Sequence, residues 1–208
     1  MLRTHGLQFS YPNGKGFRFP DIVLSEGKHL LVLGPSGVGK TTLLHLLSGL
    51  LPLAAGSIHI GDTDISIFSR KELDDFRGRY IGAVFQKSYF VKSLTVAENL
   101  ALRQCFPDKR PDTERMTELS ERLGIADQLP KKVQELSEGQ RQRLSIALGL
   151  IHRPKIVLAD EPTSDLDDGN CEKVVGLLKE EASLANANLI IITHDQRVKE
   201  MFTDHLEL

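Results

Sequence analysis

The stretch Gly34-Pro35-Ser36-Gly37-Val38-Gly39-Lys40-Thr41 decides the fold of this chain of 208 residues. It fits the pattern G-x-x-x-x-G-K-[ST], in which the glycines let successive backbone N–H groups turn inward around a phosphate chain. Lys40 supplies a point charge for the β- and γ-phosphates, and the hydroxyl of Thr41 is a hard oxygen ligand for Mg²⁺. We therefore expect this loop, with the adjoining Thr42, to bind a nucleoside triphosphate.

The residues around the loop follow the strand–loop–helix order that this mechanism requires. Residues 29–33 are a continuous apolar run, typical of a buried strand in a parallel sheet, and the leucines after Lys40 follow helical spacing. Further strands are predicted at residues 81–85, 155–159 and 189–193. Helices are predicted at residues 69–77, 112–124, 138–151 and 169–182. Strands that alternate with helices predict an α/β fold with a mainly parallel core sheet.

Two other regions extend this core. Residues 2–9 and 15–19 alternate between apolar and polar, which predicts an antiparallel β subdomain with a turn at Tyr11-Pro12-Asn13-Gly14. Between residues 85 and 155 the sequence shows helical patterns and loops but no convincing strand. We therefore expect a single domain over residues 1–208. Its α/β core and β subdomain would span residues 1–85 and 153–208, with a helical subdomain inserted at residues 86–152.

Composition restricts the classes of partner and compartment. The chain has 26 Lys and Arg against 28 Asp and Glu, so its charge gives no overall reason to seek nucleic acid or anionic lipid. It has no run of about 18 apolar residues and no apolar signal segment, and we expect it to stay in the cytosol. Cys105 and Cys171 lack metal-ligand spacing, so both are expected to be small buried thiols.

A second chemical signal is the apolar run at residues 156–159, which ends in Asp160 and Glu161. Carboxylates at the C-terminal end of a parallel strand face the crevice in which such sheets bind ligands. Asp160 is suited to hold the metal, and Glu161 to orient a water molecule and accept its proton. On its own this pattern also fits a solvated strand end, and the phosphate loop upstream favours the functional interpretation.

The segment Leu136-Ser137-Glu138-Gly139-Gln140-Arg141-Gln142-Arg143 makes the prediction specific. Taken alone, Ser137 and Gln140 form an S-x-x-Q capping box, which explains the start of a helix. Together with the phosphate loop and the Asp160-Glu161 strand, however, the segment resembles the nucleotide-binding subunit of ATP-binding-cassette (ABC) transporters, over residues 11–194. The resemblance implies an ABC-type P-loop fold. It also implies that Ser137, Gly139 and Gln140 bind ATP held by a second copy of the chain.

Four more positions match the family in its own order. Gln86 matches the loop glutamine that touches the metal and the water, and His194 matches the histidine that contacts the γ-phosphate. The segment Ser164-Asp165-Leu166-Asp167 matches the loop that crosses between the two copies, and Tyr11 the aromatic ring that stacks on adenine. The resemblance thus implies catalytic roles for Glu161, His194, Gln86 and Lys40, and a Mg²⁺ site at Thr41, Gln86 and Asp160.

The function that this resemblance implies is ATP hydrolysis that powers a separate membrane-spanning subunit. That permease would dock near Gln86 and the helical block at residues 87–106. Two copies would sandwich ATP head to tail, with the chain peripheral on the cytoplasmic face of the membrane. The short chain and the sequence of residues 158–163 resemble the lipoprotein-release and macrolide-export branch of this family. Glu138 stands where the family's usual signature has glycine, and we expect its carboxylate to point away from the nucleotide.

Two other functions remain to be separated from this one. A soluble ABC ATPase of DNA repair, chromosome structure or translation would usually carry long insertions, coiled coils or a duplicated cassette. A nucleotide kinase would suit the length and the phosphate loop, but it leaves Ser137, Gln140 and His194 unexplained. Hydrolysis of ATP without a phosphate acceptor separates the kinase from both ABC functions, and co-purification with membranes separates the two ABC functions.

Overall fold

The computed structural model describes residues 1–12, 14–86, 89–105, 110–164 and 166–208. The strands are β1 (Leu2–Ser10), β2 (Gly16–Arg18), β3 (Val23–Leu24), β4 (His29–Leu33), β5 (Ala55–Ile60), β6 (Thr63–Asp64), β7 (Ile81–Val84), β8 (Ile156–Asp160), β9 (Asn188–Thr193) and β10 (Asp204–Glu207). The α-helices are α1 (Lys40–Leu47), α2 (Arg70–Tyr80), α3 (Val96–Gln104), α4 (Thr113–Arg122), α5 (Glu138–Leu150) and α6 (Asp168–Leu184).

The core sheet is parallel, as the sequence predicts. Its strand order is β10-β4-β9-β8-β7, and every pairing in it is parallel. Strands β8 and β9 are buried almost throughout, which explains why their sequences are apolar without alternation. Because parallel strands end at the same edge of a sheet, the segments after β4, β8 and β9 lie side by side.

A second, antiparallel sheet covers the start of the chain. Its order is β2-β1-β5-β6, and β3 also pairs with β1. The predicted hairpin of β1 and β2 is present, with hydrogen bonds from Gly14 N to Tyr11 O and from Tyr11 N to Lys15 O, both 2.9 Å long. Asn13 of the predicted turn lies outside the described residues. Sequence analysis did not identify β3, β5 and β6.

Three of the helices follow β7 before the chain returns to the sheet at β8. In the parts of residues 86–152 that the structure describes, α3, α4 and α5 alternate with turns and no strand occurs, in agreement with the sequence pattern. The division of the chain into subdomains at residues 86 and 152 stays a prediction. No helix in the described ranges combines the length and the apolar character that crossing a bilayer requires.

The prediction that both cysteines are buried is correct for Cys171 and wrong for Cys105. Cys171 is a buried free thiol on α6, whereas Cys105 is exposed. Cys105 is the C-cap of α3, where its N–H bonds to Ala101 O and its side chain lies at the surface of the helix end. A small apolar side chain therefore gives no reliable sign of burial at a helix terminus.

Helix α5 approaches strand β7 so closely that two glycines face each other. A Cβ added at Gly82 would overlap the carbonyl oxygen of Gly149 and lie 3.0 Å from Cγ of Pro154. A Cβ at Gly149 would in turn lie 2.9 Å from Cγ2 of Val84. The glycine pair therefore sets the distance at which α5 packs on the sheet.

We expect Gly82→Ala to lower the free energy of unfolding by about 2 kcal/mol, because backbone atoms cannot move aside for the methyl group. Urea denaturation measures this change. Gly176→Ala is the matched control, since Gly176 lies inside α6 with no neighbouring atom within 4 Å of the added Cβ. That change should stabilise the protein by about 0.5–1 kcal/mol. An equal effect of the two substitutions would contradict the close contact.

Candidate functional site

The phosphate loop connects β4 to α1 and has a backbone that requires glycine at its end. Gly39 has φ of 114°, a conformation that L side chains rarely adopt. A Cβ at this position would also lie 2.6 Å from the ring of Phe17. The antiparallel hairpin thus packs an aromatic ring directly against the loop, and only glycine fits between them.

Helix α1 begins without a side-chain cap, unlike the other α-helices of the described residues. Each of these others has a capping side chain that accepts a hydrogen bond from a first-turn N–H: Ser69, Thr95, Asp112, Ser137 and Asp167. The N-cap of α1 is Gly39, which has no side chain, and the first turn holds no acidic residue. The N–H groups and the positive end of the helix dipole are therefore available to an anion.

Lys40 is buried at the start of α1, with its ammonium turned back over the loop. Its Nζ donates hydrogen bonds to Gly34 O at 2.8 Å and to Pro35 O at 3.2 Å. Oε1 of Glu161 lies 3.6 Å from the same nitrogen. The ammonium is thus held at the mouth of the loop and next to a carboxylate, as the sequence motif implies.

Strand β8 delivers Asp160 and Glu161 beside the loop. The hydroxyl of Thr41 lies near the Asp160 carboxylate. Burial, together with the adjacent charge of Glu161, raises the pKa of the Asp160 carboxyl above its ordinary value, although the Thr41 hydroxyl opposes that shift. A hydroxyl and a carboxylate, both predicted metal ligands, therefore lie together at the strand end.

Glu161 connects three of the segments at this edge of the sheet. Its Oε1 lies 2.9 Å from Nδ1 of His194, and its Oε2 accepts a hydrogen bond of 2.7 Å from the Thr193 hydroxyl. Burial disfavours the charged form, but the hydrogen bonds from His194 and Thr193 outweigh it and hold the pKa of the Glu161 carboxyl below its ordinary value. The carboxyl is therefore ionised at neutral pH.

The backbone of Glu161 is also unusual. Its φ is 47°, in the left-handed region, where a residue other than glycine is strained by about 1 kcal/mol or more. A hydrogen bond of 2.9 Å from Glu161 N to Ile192 O holds this conformation, together with the side-chain bonds to β9. The fold therefore fixes the direction in which the carboxylate points.

Tyr11 and the phosphate loop line one cleft of about 490 Å³. Its other lining residues include Lys15, Phe17, Thr42 and Glu161. The hydroxyl of Tyr11 lies 3.1 Å from Oγ1 of Thr42, and its ring meets those of Phe9 and Phe17 edge to face. The structure thus brings the predicted adenine-stacking ring to the predicted phosphate site. The structure also places Lys15 and Phe17 in this cleft, although neither residue belongs to a sequence motif.

Gln86 lies on the other side of the strand ends. Its Nε2 donates a hydrogen bond of 3.1 Å to the hydroxyl of Ser164, and both residues line a cleft of about 370 Å³ that also includes Glu161. Gln86 is therefore close to the predicted catalytic carboxylate. Asp165, within the segment predicted to cross between copies, lies outside the described residues.

The helix end at Ser137 is separate from the cleft around the phosphate loop. The capping box is present, with Gln140 N bonded to Ser137 Oγ at 3.3 Å and Ser137 N to Gln140 Oε1 at 2.9 Å. Ser137, Glu138 and Gly139 are exposed, and neither they nor Gln140 line the cleft that contains Tyr11 and Lys40. Glu138 does line the other cleft, which contains Gln86 and Glu161. Within one chain, however, the structure does not bring Ser137, Gly139 and Gln140 to the cleft around the phosphate loop.

Asp195, next to His194, is a buried carboxylate that sequence analysis did not identify. It accepts two hydrogen bonds from the guanidinium of Arg197, at 2.9 and 2.7 Å, and one of 3.0 Å from the backbone N–H of the same residue. The Thr163 hydroxyl donates a further bond of 3.0 Å. The hydrogen bonds from Arg197 hold the pKa of the Asp195 carboxyl well below its ordinary range, and burial opposes this shift only in part. Arg197 also donates to Leu166 O at 3.2 Å, so the network ties the segment after β9 to the segment after β8.

We expect Asp195→Asn to destabilise the fold at neutral pH by about 2 kcal/mol, because charge-assisted bonds to a buried group are lost. A carboxyl with a lowered pKa in the folded state adds stability above its unfolded pKa of about 4, and this stability disappears as the pH falls. The difference between wild type and variant in urea denaturation should therefore shrink between about pH 5 and pH 3.

The exposed Asp62 provides a control for this experiment. Asp62→Asn should change the free energy of unfolding by about 0.5 kcal/mol or less at either pH. A pH-independent deficit in Asp195→Asn would contradict the charged state assigned to Asp195.

Comparisons with known proteins agree with this geometry. A family model described as ABC transporter matches residues 20–164. The lipoprotein-releasing system ATP-binding protein LolD of Legionella pneumophila (strain Paris) is 36% identical over 206 residues, which cover 96% of this chain and 91% of that protein. The phosphonates import ATP-binding protein PhnC 1 of Ruegeria sp. (strain TM1040) is 38% identical, with 99% of this chain and 84% of that protein covered.

A solved structure extends the likeness to three dimensions. The dimeric post-hydrolysis state of the ATP-binding cassette MJ0796, bound to ADP and Pi, matches with a TM-score of 0.87 and 28% identity, covering 100% of this chain and 94% of that one. The ABC-type fold predicted from the sequence is thereby confirmed, and the named relatives do not favour a non-transport ABC ATPase. The chain belongs to the ABC transporter family, as an ATP-binding subunit that hydrolyses ATP.

Proposed function

We propose that the cleft between Tyr11 and Glu161 holds ATP with Mg²⁺ and that Glu161 directs its hydrolysis. The observation that carries this proposal is the position of the Glu161 carboxylate, 3.6 Å from the Lys40 ammonium and 2.9 Å from the imidazole of His194. A base, a cation for the phosphates and a further polar group are thus assembled at one edge of the sheet. Phosphoryl transfer depends mainly on such positioning and on stabilisation of charge.

The side chains around the loop fit Mg²⁺. The Thr41 hydroxyl and the Asp160 carboxylate offer hard oxygen ligands, and the amide of Gln86 supplies a third polar group near the same edge. Across the described residues no group of three or more His, Cys, Asp or Glu is placed to hold a metal. A small number of protein ligands is consistent with Mg²⁺, because this ion keeps several of its waters and binds mainly through substrate phosphates. When bound, Mg²⁺ would neutralise phosphate charge.

Glu161 acts on the attacking water in this proposal. Its lowered pKa keeps the carboxylate ionised, so it accepts a proton from water while the water oxygen bonds to the γ-phosphorus and the bond to the ADP oxygen breaks. His194 orients this carboxylate in the described structure and lies exposed, where a γ-phosphate can reach it. When ATP binds, the Lys40 ammonium would give up its hydrogen bonds to the loop carbonyls and donate to phosphate oxygens instead.

We also propose that two copies pack head to tail around ATP. The exposed end of α5 at Ser137 supports this arrangement, because a helix N-terminus can bind an anion and this one does not line the cleft that contains Tyr11 and Lys40. Glu138 is exposed, which leaves its carboxylate room to turn from the triphosphate. Each copy would offer the same surface to the other, so the interface would be isologous. The matching structure of MJ0796 is a dimer.

A membrane-spanning subunit would dock in the groove between α2, α3 and β7. The groove measures about 750 Å³ and is lined by exposed apolar side chains, among them Leu50, Tyr89, Val91 and Leu102. It also contains Phe85, which adjoins Gln86, so an occupant would contact the segment that leads to the active site. Of the block predicted to dock, Lys87, Ser88 and Phe106 lie outside the described residues.

The chain would accordingly lie on the cytoplasmic face of a membrane, where ATP is available. The likeness to LolD supports a place in lipoprotein release or a related extrusion system. In such systems the membrane-spanning subunits choose the substrate, and the site described here supplies the motor.

We expect Glu161→Gln to retain ATP binding and to lower kcat by about 100-fold or more, because the amide cannot accept the proton. The variant should also form a long-lived dimer with ATP. Phosphate release and sedimentation velocity with ATP and with ADP measure both effects. Glu26→Gln makes the same chemical change in an exposed turn and should behave as wild type. Normal turnover in Glu161→Gln would exclude Glu161 as the base.

We expect Leu102→Glu to release the chain from membranes, because a charge would enter the apolar groove without a partner. Leu184→Glu is the matched control, since Leu184 is 61% exposed and Leu102 is 53% exposed, and Leu184 lies on α6 outside the groove. The measurement is the fraction of tagged chain that sediments with membranes of the source cells, alongside ATPase activity in solution. Equal membrane association of the two variants would contradict docking at this groove.

A further inference from the structure

Lys15 lies in the nucleotide cleft although it belongs to none of the motifs. It follows the turn between β1 and β2, and its backbone carbonyl accepts a hydrogen bond from Tyr11 N. Its ammonium donates a hydrogen bond of 3.0 Å to the carbonyl of Gly37, in the middle of the phosphate loop. The side chain thus extends from the antiparallel hairpin to the loop on the parallel sheet, and it lines the same cleft as Lys40.

An aromatic wall holds the Lys15 side chain in this position. Its Nζ lies 5.0 Å from the ring centroid of Phe17, at the distance of a cation–π contact. Phe17 in turn packs on Gly39 and stacks on Phe19, with ring centroids 6.0 Å apart. Although Lys15 is exposed, the Phe17 ring and the Gly37 carbonyl thus position its ammonium, which reduces the side-chain freedom that a ligand would have to restrict.

We propose that Lys15 is a nucleotide-binding residue whose ammonium contacts a phosphate of ATP at the Gly37 side of the loop. This inference rests on the proposed function of the cleft. A hydrogen bond between an ammonium and a phosphate oxygen is charge-assisted and stronger than the bond to a neutral carbonyl. The carbonyl that Lys15 contacts belongs to the loop whose N–H groups would surround the phosphates.

The charges along the cleft favour this assignment. Its charged lining residues are Lys15, Lys40 and Glu161, and the last two lie 3.6 Å apart. The field of the Lys40 ammonium at the phosphates is therefore reduced by the nearby carboxylate. Lys15 approaches the loop from the antiparallel hairpin, and its positive charge adds to the attraction for a triphosphate.

The test is ATP binding by Lys15→Met, which keeps the apolar stem over Phe17 and removes the charge. At low salt we expect about tenfold weaker binding in calorimetry, and at high salt a smaller deficit, because screening weakens the contact in wild type. Lys15→Arg should recover most of the affinity. Arg18→Met removes the same charge from the last residue of β2, outside the cleft, and should bind as wild type. In hydrolysis assays the rise in KM should exceed the fall in kcat.

Wild-type affinity in Lys15→Met would overturn the inference. So would a deficit that neither salt nor Lys15→Arg changes, because it would show a structural role of the side chain. Lys15→Gln provides a second neutral variant, and circular dichroism verifies that each variant is folded. Loss of binding in Lys40→Ala verifies the cleft itself. If the wild-type protein fails to bind ATP, both the proposed function and this inference are wrong. If the wild-type protein binds ATP and Lys15→Met binds it with the same affinity, only the inference about Lys15 is wrong.

Discussion

The contacts of the Glu161 carboxylate depend on the register of three parallel strands. Leu33 of β4 lies opposite Thr193 of β9, and Asp160 of β8 lies opposite Ile192. The phosphate loop, Glu161 and His194 are the residues that follow these positions, so they emerge side by side. A shift of one residue in either pairing would turn the side chains of that strand to the other face and separate Glu161 from Lys40. The chemistry of the site therefore rests on the backbone register of these three strands.

The sequence predicts the elements whose own residues form a clear hydrophobic pattern. Strands β4, β8 and β9 are continuous apolar runs, and all three were placed to within one residue at each end. Helix α3 lies inside the predicted helical block at residues 87–106, but its bounds were not predicted although Thr95 and Glu98 make a T-x-x-E capping box that marks its start. Strand β10 has the polar sequence Asp204 to Glu207 and exists because it pairs with β4, so its own residues gave no basis for prediction.

The motifs predicted which residues line the site, but not how they contact one another. The positions of Lys40, Asp160 and Glu161 follow from their places at strand and helix ends. The bonds from Gln86 to Ser164 and from Tyr11 to Thr42 join residues 78 and 31 positions apart, and they depend on how the two sheets and the inserted helices pack. Lys15 illustrates the same point, because its side chain reaches from the antiparallel sheet to Gly37, in the loop that follows β4 of the parallel sheet.

The ion pair of Lys40 and Glu161 also brings the phosphate site into contact with the base. In the described structure the Lys40 ammonium lies between loop carbonyls and the Glu161 carboxylate. The hydrogen bonds that hold the pKa of the Glu161 carboxyl below its ordinary value come from His194 and Thr193, and not from the phosphate loop. Phosphate oxygens that engage the Lys40 ammonium would therefore leave those hydrogen bonds in place. The base can thus stay ionised and oriented while the ammonium changes partner, because its orientation depends on the end of β9 and not on the loop.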